Sequence, residues 1–485
     1  MNAPDAVDAV DVVDVVNVVD VVALGESMVT FLPTRPGRLA DVPSFERGIG
    51  GAESNVACGL AAAGHAVRWV SRVGADGFGD HLVEAIGSYG VDVTSVRRDA
   101  ARPTGVYFRT AGERGTDAHE VAYYRAGSAA SAMSVANVDL GAVRAARILH
   151  LTGITAALST DCLALLQELT SPGECRPLIS FDVNHRPDLW RDAGGAGVVL
   201  DLARRADLVF VGEDEAEQAW GVTGGPSAIR ELLPEPGVLV VKQGGRGATA
   251  FVSSAAERGL SAQFPAPLEP VTDPESNDLP GLRAAEEPGP APAQPVGTPA
   301  NPPSRLSLPA AEEPGPAPAQ PVGASNQPSP PSLRAVVPPG AARAGAGGPP
   351  SGGGTPPARV SDADPASAPT PSASEPTEPT PPFAHDTVTF VPALHVDVVA
   401  TTGAGDAFAA GFLSATLRGL PLKTRLRHAH LHAAATLTTP GDLAAPPTRD
   451  TTDHLAALDD ATWETLRLGP GWTQAAQAPE EVRTP

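Results

Sequence analysis

One carboxylate follows three small residues at the start of an apolar helical pattern. The segment GAGD, residues 403–406, comes directly before AFAAGFLSATLRG, whose apolar residues recur at helical spacing. The first backbone N–H groups of a helix lack internal acceptors and carry the positive end of its dipole, and glycines let a ligand approach them closely. The turn therefore predicts an anion-binding site. Asp406 is either a helix cap or a carboxylate that acts on the bound ligand.

Two further segments carry polar side chains suited to binding. In FDVNHRPDLW, the side chains of Asp182, Asn184 and Arg186 follow a buried strand, and in YYRAGSAAS two adjacent tyrosines precede Arg125. Adjacent strand residues point to opposite faces, so one tyrosine can pack while the other faces a ligand. An arginine at the end of a strand in a covered sheet favours anion binding. For Arg186 and its neighbours, the alternative is an ordinary loop with a surface ion pair. For the tyrosines, the alternative is cross-strand aromatic packing, but such packing leaves Arg125 unexplained.

The elements that must position these groups alternate between strands and helices. RILHLTG, PLISFDVNHR, ADLVFVGEDEA and GVLVVKQGGRGATAFV are predicted strands, and helical patterns separate them. This alternation predicts an α/β fold with a mostly parallel sheet that is covered on both faces and binds ligands beyond the carboxyl ends of its strands. Residues 18–32 predict one strand that leads into a glycine turn. Residues 103–126 predict a β-hairpin without a helix between its strands.

Composition divides the chain into segments. The sequence AAEEPGPAPAQPVG occurs twice within a stretch rich in proline, alanine and glycine, which cannot bury enough apolar surface to offset its ordering entropy. We expect it to be a disordered insertion between two strands that would otherwise form a hairpin. The predicted boundaries are a low-complexity extension at 1–17, a folded domain at 18–255 and 386–450, the insertion at 256–385, and a partly helical tail at 451–485.

Charge and cysteine content exclude several classes of partner. The formal net charge of −22 argues against nucleic acid, because neutralising phosphates requires a basic face, but it does not exclude a small anionic substrate. Cys58, Cys162 and Cys175 form no CxxC pair and predict neither a disulfide framework nor a zinc site. The sequence contains no run of about 18 apolar residues, so it predicts no membrane span. The N-terminus lacks the basic region of a signal peptide. We expect a cytoplasmic protein.

Four motifs in order resemble those of the ribokinase-like (phosphofructokinase-B-type) carbohydrate kinases: GGAESNVACGLAAAG, RVGADGFGD, VKQGGRGAT and TTGAGDAFAAGF. Within this family, TGVYF, YYRAGSAAS and DVNHRPDLW are similar to segments of 2-keto-3-deoxygluconate kinases. The resemblance covers nearly all of 20–255 and 386–445. It implies a three-layer α/β/α sandwich with a mostly parallel central sheet and a small β lid, contributed by about 31–50 and 103–126.

The resemblance also implies ATP-dependent phosphorylation of the primary 6-hydroxyl of this sugar acid. Asp406 would be the general base, and the backbone N–H groups of Gly403, Ala404, Gly405 and Asp406 would stabilise the transferring phosphate. The positions that match substrate contacts are Gly51, Asn55, Tyr107, Tyr123, Arg125 and Arg186. Those that match nucleotide contacts are Lys242, Gly244, Gly247, Gly403 and Gly405. The two arginines suit an acid sugar, because a guanidinium can bind a carboxylate through two hydrogen bonds.

Two positions depart from the family pattern. Where members commonly have Asn-x-x-Glu near the metal, this chain has Gly212 and Glu215, so Glu215 is expected to act on Mg²⁺ only indirectly, through water. Ala400 replaces the first aspartate of Asp-Thr-Thr-Gly-Ala-Gly-Asp, which counts against activation by a monovalent cation such as potassium. The resemblance further implies a homodimer formed through the lid. The alternatives are a kinase of another sugar, such as fructose or ribose, and a catalytically silent sugar-binding scaffold.

Overall fold

The secondary structure follows the predicted alternation of strands and helices. A computed structural model describes residues 18–110, 120–173, 176–190, 194–265 and 386–475. The strands are β1 Val19–Leu24, β2 Met28–Pro33, β3 Phe45–Gly50, β4 Val67–Val70, β5 Arg72–Gly74, β6 Arg97–Asp99, β7 Val106–Arg109, β8 Val121–Tyr124, β9 Ala146–Thr152, β10 Leu178–Asp182, β11 Leu208–Gly212, β12 Val238–Lys242, β13 Gly247–Val252, β14 Thr387–Pro392, β15 His395–Val396 and β16 Arg467–Leu468. The helices are α1 Ala52–Ala62, α2 Gly77–Ser88, α3 Leu140–Arg144, α4 Gly153–Ala157, α5 Thr160–Leu169, α6 Gly195–Arg204, α7 Glu213–Trp220, α8 Gly225–Leu232, α9 Ser254–Gln263, α10 Ala404–Leu417, α11 Leu422–Leu437, α12 Arg449–Ala456, α13 Asp460–Thr465 and α14 Trp472–Ala475.

Eight of the described strands form the central sheet, in the order β14-β13-β12-β11-β10-β9-β1-β4. Neighbours from β4 through β12 pair in parallel. β12–β13 and β13–β14 pair antiparallel at one edge. The mostly parallel sheet is thus as predicted. Because parallel strands end at the same edge, the segments that follow β10, β11 and β12 are brought together.

Alternate residues of β1 enter the cores on the two faces of this sheet. Val21 and Ala23 belong to one buried cluster with residues of α1, α10 and α11. Val22 and Leu24 belong to a second cluster with residues of α5 and α6. All four side chains are fully buried, as expected for a strand covered on both faces. The central domain is therefore a three-layer α/β/α sandwich.

A second sheet, in the order β3-β2-β7-β8, forms the lid. Both segments that the resemblance assigned to the lid contribute strands to it. The prediction of one strand over residues 18–32 is wrong, because β1 belongs to the central sheet and β2 to the lid. The chain bends between them at Gly25, where a Cβ would overlap the buried carboxylate of Glu53. This close approach requires glycine.

The predicted insertion joins two strands that are neighbours in the sheet. β13 and β14 pair antiparallel from Gly247 opposite Pro392 to Val252 opposite Thr387, as expected for strands of a hairpin. The ordered chain continues past the predicted boundary at 255 as α9, whose first turn is capped by the Ser253 hydroxyl. Phe264 just beyond it is buried, so α9 packs against the folded domain. Residues 266–385 lie outside the described residues, as do the extension at 1–17 and Cys175.

Helices α12 and α13 fall at the start of the predicted tail, in the part that the structure describes. Trp463 of α13 is buried, and its indole N–H donates a 3.0 Å hydrogen bond to the carbonyl oxygen of Pro392, at the end of β14. This contact fixes the C-terminal helices to the edge of the central sheet. Within the described ranges, no helix combines the length and apolar character needed to cross a membrane.

Candidate active site

A cavity of about 480 Å³ lies between the carboxyl edge of the central sheet and the lid. The structure brings most of the predicted site residues to its wall: Gly51, Asn55, Tyr107, Tyr123, Arg125, Arg186, Glu215, Lys242, Gly403, Gly405 and Asp406. Ala404 lies between two of these glycines. Gly244 and Gly247 lie in the turn between β12 and β13 and are not among the described lining residues.

The GAGD turn opens α10 towards this cavity. Gly403 is the N-cap and has a left-handed backbone with φ 79°, and no side chain caps the helix. A Cβ on Gly403 would overlap the carbonyl oxygen of Asp442, so this position requires glycine on two grounds. Asp406, the third residue of the helix, accepts a 2.8 Å hydrogen bond from Nδ2 of Asn55 instead. The geometry therefore decides against the helix-cap alternative for Asp406.

The environment of Asp406 favours its neutral form. Burial raises the pKa of Asp406 to about 7. The hydrogen bond from Asn55 opposes this increase, the carboxylate of Asp182 adds to it, and the ammonium group of Lys242 opposes it. A carboxyl group with a pKa near the working pH exchanges protons readily. Asp406 can therefore serve as a general base at neutral pH.

Aromatic residues of the lid form one wall of the cavity. Tyr107 of β7 and Tyr123 of β8 are paired across the lid sheet, and their ring centroids are 5.4 Å apart. Tyr124 lies on the opposite face, where its ring meets Phe108 edge-on with centroids 6.0 Å apart. The prediction that the adjacent tyrosines face opposite sides is confirmed. Tyr123 is the one that faces the cavity.

The two predicted arginines differ in their partners. Arg125 forms an ion pair with the buried carboxylate of Glu26, which also accepts a 2.6 Å hydrogen bond from the Ser128 hydroxyl. Arg186 follows a turn in which Asn184 has a left-handed backbone with φ 37°. Its guanidinium donates a long 3.4 Å hydrogen bond to the carbonyl oxygen of His185. Arg186 has no carboxylate partner among the described residues.

The carboxyl ends of β10 and β12 supply an ion pair beside the GAGD turn. Nζ of Lys242 is 2.9 Å and 3.1 Å from the carboxylate oxygens of Asp182. Burial would lower the pKa of Lys242, but the carboxylates of Asp182 and Glu215 outweigh it and raise that pKa. A Cβ on Gly405 would be 3.6 Å from Nζ, so the ammonium group lies next to the turn. Lys242 is thus a cation beside the GAGD turn.

Glu215 lies at the start of α7, where its carboxylate binds backbone groups. It accepts hydrogen bonds of 2.5 Å from the N–H of His185 and 3.0 Å from the N–H of Gly212. Burial raises the pKa of Glu215, and the nearby carboxylate of Asp182 adds to this increase. Within the described part of the chain, no three His, Cys, Asp or Glu side chains are grouped to hold a metal ion. Glu215 therefore fits an indirect role towards a metal better than direct coordination.

Three charged lining residues were not predicted from the sequence. Glu26, Arg109 and Asp442 all face the cavity. Asp442 accepts hydrogen bonds from the hydroxyl of Tyr107 and from Nη2 of Arg109. These partners are more than 300 positions from Asp442 along the chain, so no local spacing reveals them.

The sequence has recognisable relatives among characterised proteins. The family profile described as pfkB family carbohydrate kinase matches residues 19–273 and 377–449. The 2-dehydro-3-deoxygluconokinase of Bacillus subtilis (strain 168) is 37% identical over 235 residues, which are 47% of this chain and 71% of that protein. The 2-dehydro-3-deoxygluconokinase of Thermoproteus tenax is 35% identical over 234 residues, with the same coverage of 47% and 71%. Fructokinase-1 of Oryza sativa subsp. japonica is 31% identical over 233 residues, again with 47% and 71% covered.

Solved structures share the fold. A PfkB protein from Polaromonas sp. JS666 superposes with a TM-score of 0.56 at 24% identity, covering 90% of this chain and 99% of that one. The 2-dehydro-3-deoxygluconokinase of Thermotoga maritima superposes with a TM-score of 0.56 at 18% identity, covering 90% and 98%. The profile match spans both folded segments, and the relatives above share it at more than 30% identity. The chain therefore belongs to the pfkB family of carbohydrate kinases.

Proposed function

We propose that this carbohydrate kinase transfers the γ-phosphoryl group of ATP to the primary 6-hydroxyl of 2-keto-3-deoxygluconate. The observation that carries the proposal is that Arg125 and Arg186 line the same cavity as Asp406. A guanidinium binds a carboxylate through paired hydrogen bonds, a use that a neutral sugar does not offer. The names of the Bacillus subtilis and Thermoproteus tenax relatives support the same substrate.

The charge balance of the cavity supports an anionic substrate. The other described cations at its wall are each paired with a carboxylate: Arg109 with Asp442, Arg125 with Glu26 and Lys242 with Asp182. Among the residues that the structure describes, Arg186 has no such partner, so its charge is available to a ligand. A substrate carboxylate would complete the balance at this position. We therefore assign Arg186 the main contact with the acid group and Arg125 a supporting one.

The proposed reaction uses Asp406 as the base. Its carboxylate takes the proton of the 6-hydroxyl while the hydroxyl oxygen forms a bond to the γ-phosphorus, and the bond from that phosphorus to the bridging oxygen of ADP breaks. The hydrogen bond from Asn55 holds the carboxylate in one orientation. The N–H groups of Gly403, Ala404, Gly405 and Asp406 stabilise the charge of the transferring phosphate. The sugar would lie against Gly51 and the rings of Tyr107 and Tyr123.

The nucleotide is assigned to the side of the cavity next to Lys242. The ammonium group of Lys242 would contact phosphate oxygens, and the turn with Gly244 and Gly247 would border the rest of the nucleotide. Mg²⁺ bound to ATP would reduce the repulsion between the phosphates. Both carboxylate oxygens of Glu215 already accept backbone hydrogen bonds, so we propose that Glu215 holds the ion through water.

A substrate panel tests the proposal. The purified protein is assayed for ATP-dependent phosphorylation of 2-keto-3-deoxygluconate, its galactonate epimer, fructose and ribose by coupled detection of ADP. We expect kcat/KM for a sugar acid to exceed that for fructose by at least about 100-fold. Comparable turnover of fructose would reject the acid-sugar assignment and favour the function named for the fructokinase relatives.

The matching variant is Arg186→Gln. Loss of one charge-assisted contact should lower kcat/KM for the sugar acid by about 10- to 100-fold. The ratio of acid to neutral sugar turnover should fall with it. An unchanged ratio would show that Arg186 does not bind the acid group.

We also propose that the chain forms a homodimer through the outer face of the lid. Phe31 and Phe108 stack there with ring centroids 4.8 Å apart, and Phe45 meets Phe108 edge-on. Tyr124 beside them is 66% exposed, which leaves aromatic surface for a partner. Light scattering should give a dimer mass for the wild type and a monomer mass for Tyr124→Asp. Val388→Asp, which changes another exposed apolar residue, should remain dimeric. A monomeric wild type would contradict the proposal.

A further inference from the structure

Asp442 connects the lid to the central domain through its side chain. Tyr107 and Arg109 are alternate residues of β7, so both point to the same face, and both donate to the Asp442 carboxylate. The side chains of Asp442 and Arg109 are only 3% and 6% exposed. A buried charge pair of this kind holds its members firmly, because either charge alone would be left without compensation.

The backbone of the same residue touches the anion-binding turn. The carbonyl oxygen of Asp442 lies so close to Cα of Gly403 that a Cβ there would overlap it. Gly403 is the N-cap of α10, and its left-handed backbone sets the direction of the first N–H groups of the helix. A displacement of Asp442 must therefore move the turn or open a gap beside it.

A third contact completes the junction. A Cβ on Gly50, at the end of β3, would be 2.8 Å from Oδ2 of Asp442 and would overlap the hydroxyl of Tyr107. Strands β3 and β7 of the lid thus both abut Asp442, which follows α11 in the central domain. In the described part of the cavity wall, Asp442 is the residue that contacts both the lid and the GAGD turn.

We propose that Asp442 is a positioning residue that couples the placement of the lid to the geometry of the GAGD turn. The inference rests on the proposed function insofar as the turn binds the transferring phosphate. With β7 in place, the Asp442 side chain is fixed and its carbonyl group supports Gly403. With β7 displaced, that support is lost and the N–H groups of the turn are no longer aligned. The anion site is then complete only when the lid encloses the substrate. This arrangement suppresses wasteful transfer of the phosphoryl group to water.

Hydrogen exchange in the protein without ligands tests the coupling directly. Arg109→Gln removes the lid side of the ion pair, and among the described residues no hydrogen bond or ion pair joins Arg109 directly to the turn. We expect amide exchange to accelerate roughly tenfold at Ala407, whose N–H donates a 2.9 Å hydrogen bond to the carbonyl oxygen of Gly403, as well as at 106–109. Arg109→Lys, which keeps the charge, should recover part of the protection. Acceleration confined to 106–109 would overturn the proposal.

The matched control is Arg230→Gln. Arg230 forms a similarly buried ion pair with Asp386, in which the side chains are 3% and 5% exposed, away from the cavity. This variant should leave exchange at Ala407 unchanged. If it accelerates exchange there as much as Arg109→Gln does, the effect is general destabilisation and the coupling is rejected.

Kinetics provide a second readout on the same variants. A lid that merely closes over the sugar would change only the KM for the sugar, whereas a misaligned turn lowers kcat. We expect Arg109→Gln to raise this KM and to lower kcat by roughly tenfold or more. A change in KM with unchanged kcat would contradict the coupling. The exchange experiment needs no substrate, so failure of the sugar-acid assignment would leave its result interpretable.

Discussion

The side-chain amide of Asn55 donates a 2.8 Å hydrogen bond to the carboxylate of Asp406, a residue 351 positions further along the chain. Asn55 lies in α1 and Asp406 in the first turn of α10, and these helices pack on the same face of the central sheet. The contact fixes the carboxylate away from the end of its own helix. It leaves the N–H groups of the turn available to a ligand.

The first prediction concerns the base itself. Asp406→Asn keeps the shape of the side chain and its contact with Asn55 but cannot accept the substrate proton. We expect kcat to fall at least about 100-fold with little change in the KM for the sugar. Initial-rate kinetics measure both. Turnover at the wild-type rate would remove Asp406 as the base.

The pH dependence of activity follows from the pKa of about 7 at Asp406. The base must be ionised, so kcat/KM should rise with pH and level off above about 7. Asn55→Ala removes a hydrogen bond that lowers this pKa, so the inflection should move to higher pH. A pH–rate profile of both proteins checks the shift. An inflection that moves to lower pH in the variant would contradict the assignment of the titrating group.

The same pKa predicts a stability effect. Because the folded protein holds Asp406 with a raised pKa, ionising it costs stability, and this cost appears as the pH rises from about 4 towards 7 and above. Asp406→Asn should therefore melt about 2–4 °C above the wild type at pH 8, and the difference should shrink towards pH 4.

Thermal denaturation across this pH range measures the stability difference. The control is Asp182→Asn, which should instead destabilise the protein, because it leaves the buried ammonium group of Lys242 without its partner. A constant difference between Asp406→Asn and the wild type at every pH would show that ionisation is not its cause.

Gly403→Ala tests the geometric demands of the turn. The left-handed backbone and the close carbonyl oxygen of Asp442 both oppose a Cβ, so the turn must move. We expect kcat to fall at least about 100-fold and the melting temperature to fall by about 5 °C. Gly405→Ala, where the nearest atom would be 3.6 Å away, should melt close to the wild type. If Gly403→Ala melted at the same temperature as the wild type, the turn would tolerate a side chain at this position.

Buried histidines predict sensitivity to acid. Burial lowers the pKa of His65, His428 and His430 to about 4 and that of His432 to about 3. An unfolded histidine binds a proton near pH 6.5, so stability is lost as the pH falls below about 6.5, by up to about 1.4 kcal/mol per pH unit for each group.

Urea unfolding at pH 7.5, 6 and 5 measures this slope. His432→Gln removes one titrating group and should flatten the loss of stability between pH 6.5 and 5. The matched control is His395→Gln, the same replacement at an exposed position. Equal slopes in the wild type and His432→Gln would contradict the assignment.

The layers of the fold were predictable because they follow from local patterns. Alternating strands and helices predict a covered parallel sheet, and the antiparallel pairing of β13 with β14 follows from the strands on either side of the insertion. The point where the chain leaves the central sheet was missed. The apolar residues of β1 and β2 are alike, and the bend depends on packing of Gly25 against Glu53 of a later helix. Periodicity does not encode such a contact.

The candidate site was predictable only where its residues lie in short motifs. Sequence alone left Asp406 between a helix cap and a catalyst, and the position of Gly403 as N-cap counts against the cap. Arg109 and Asp442 carry no motif of their own. Their pairing arises from strand β7 facing a loop after α11, a relationship that only the tertiary fold creates.

The packing of α1 against α10 has a consequence for synthesis on the ribosome. Gly59 of α1 lies against Ala410 of α10, and nearly the whole of α1 is buried in the finished domain. The 120 residues from 266 to 385 must be translated before α10 emerges, which takes on the order of ten seconds. During that interval the nascent domain presents an uncovered apolar helix, a surface that chaperones bind. Asp406, the proposed base, also follows residues 266–385, so the residues proposed to bind the sugar at positions 51–186 are synthesised before it.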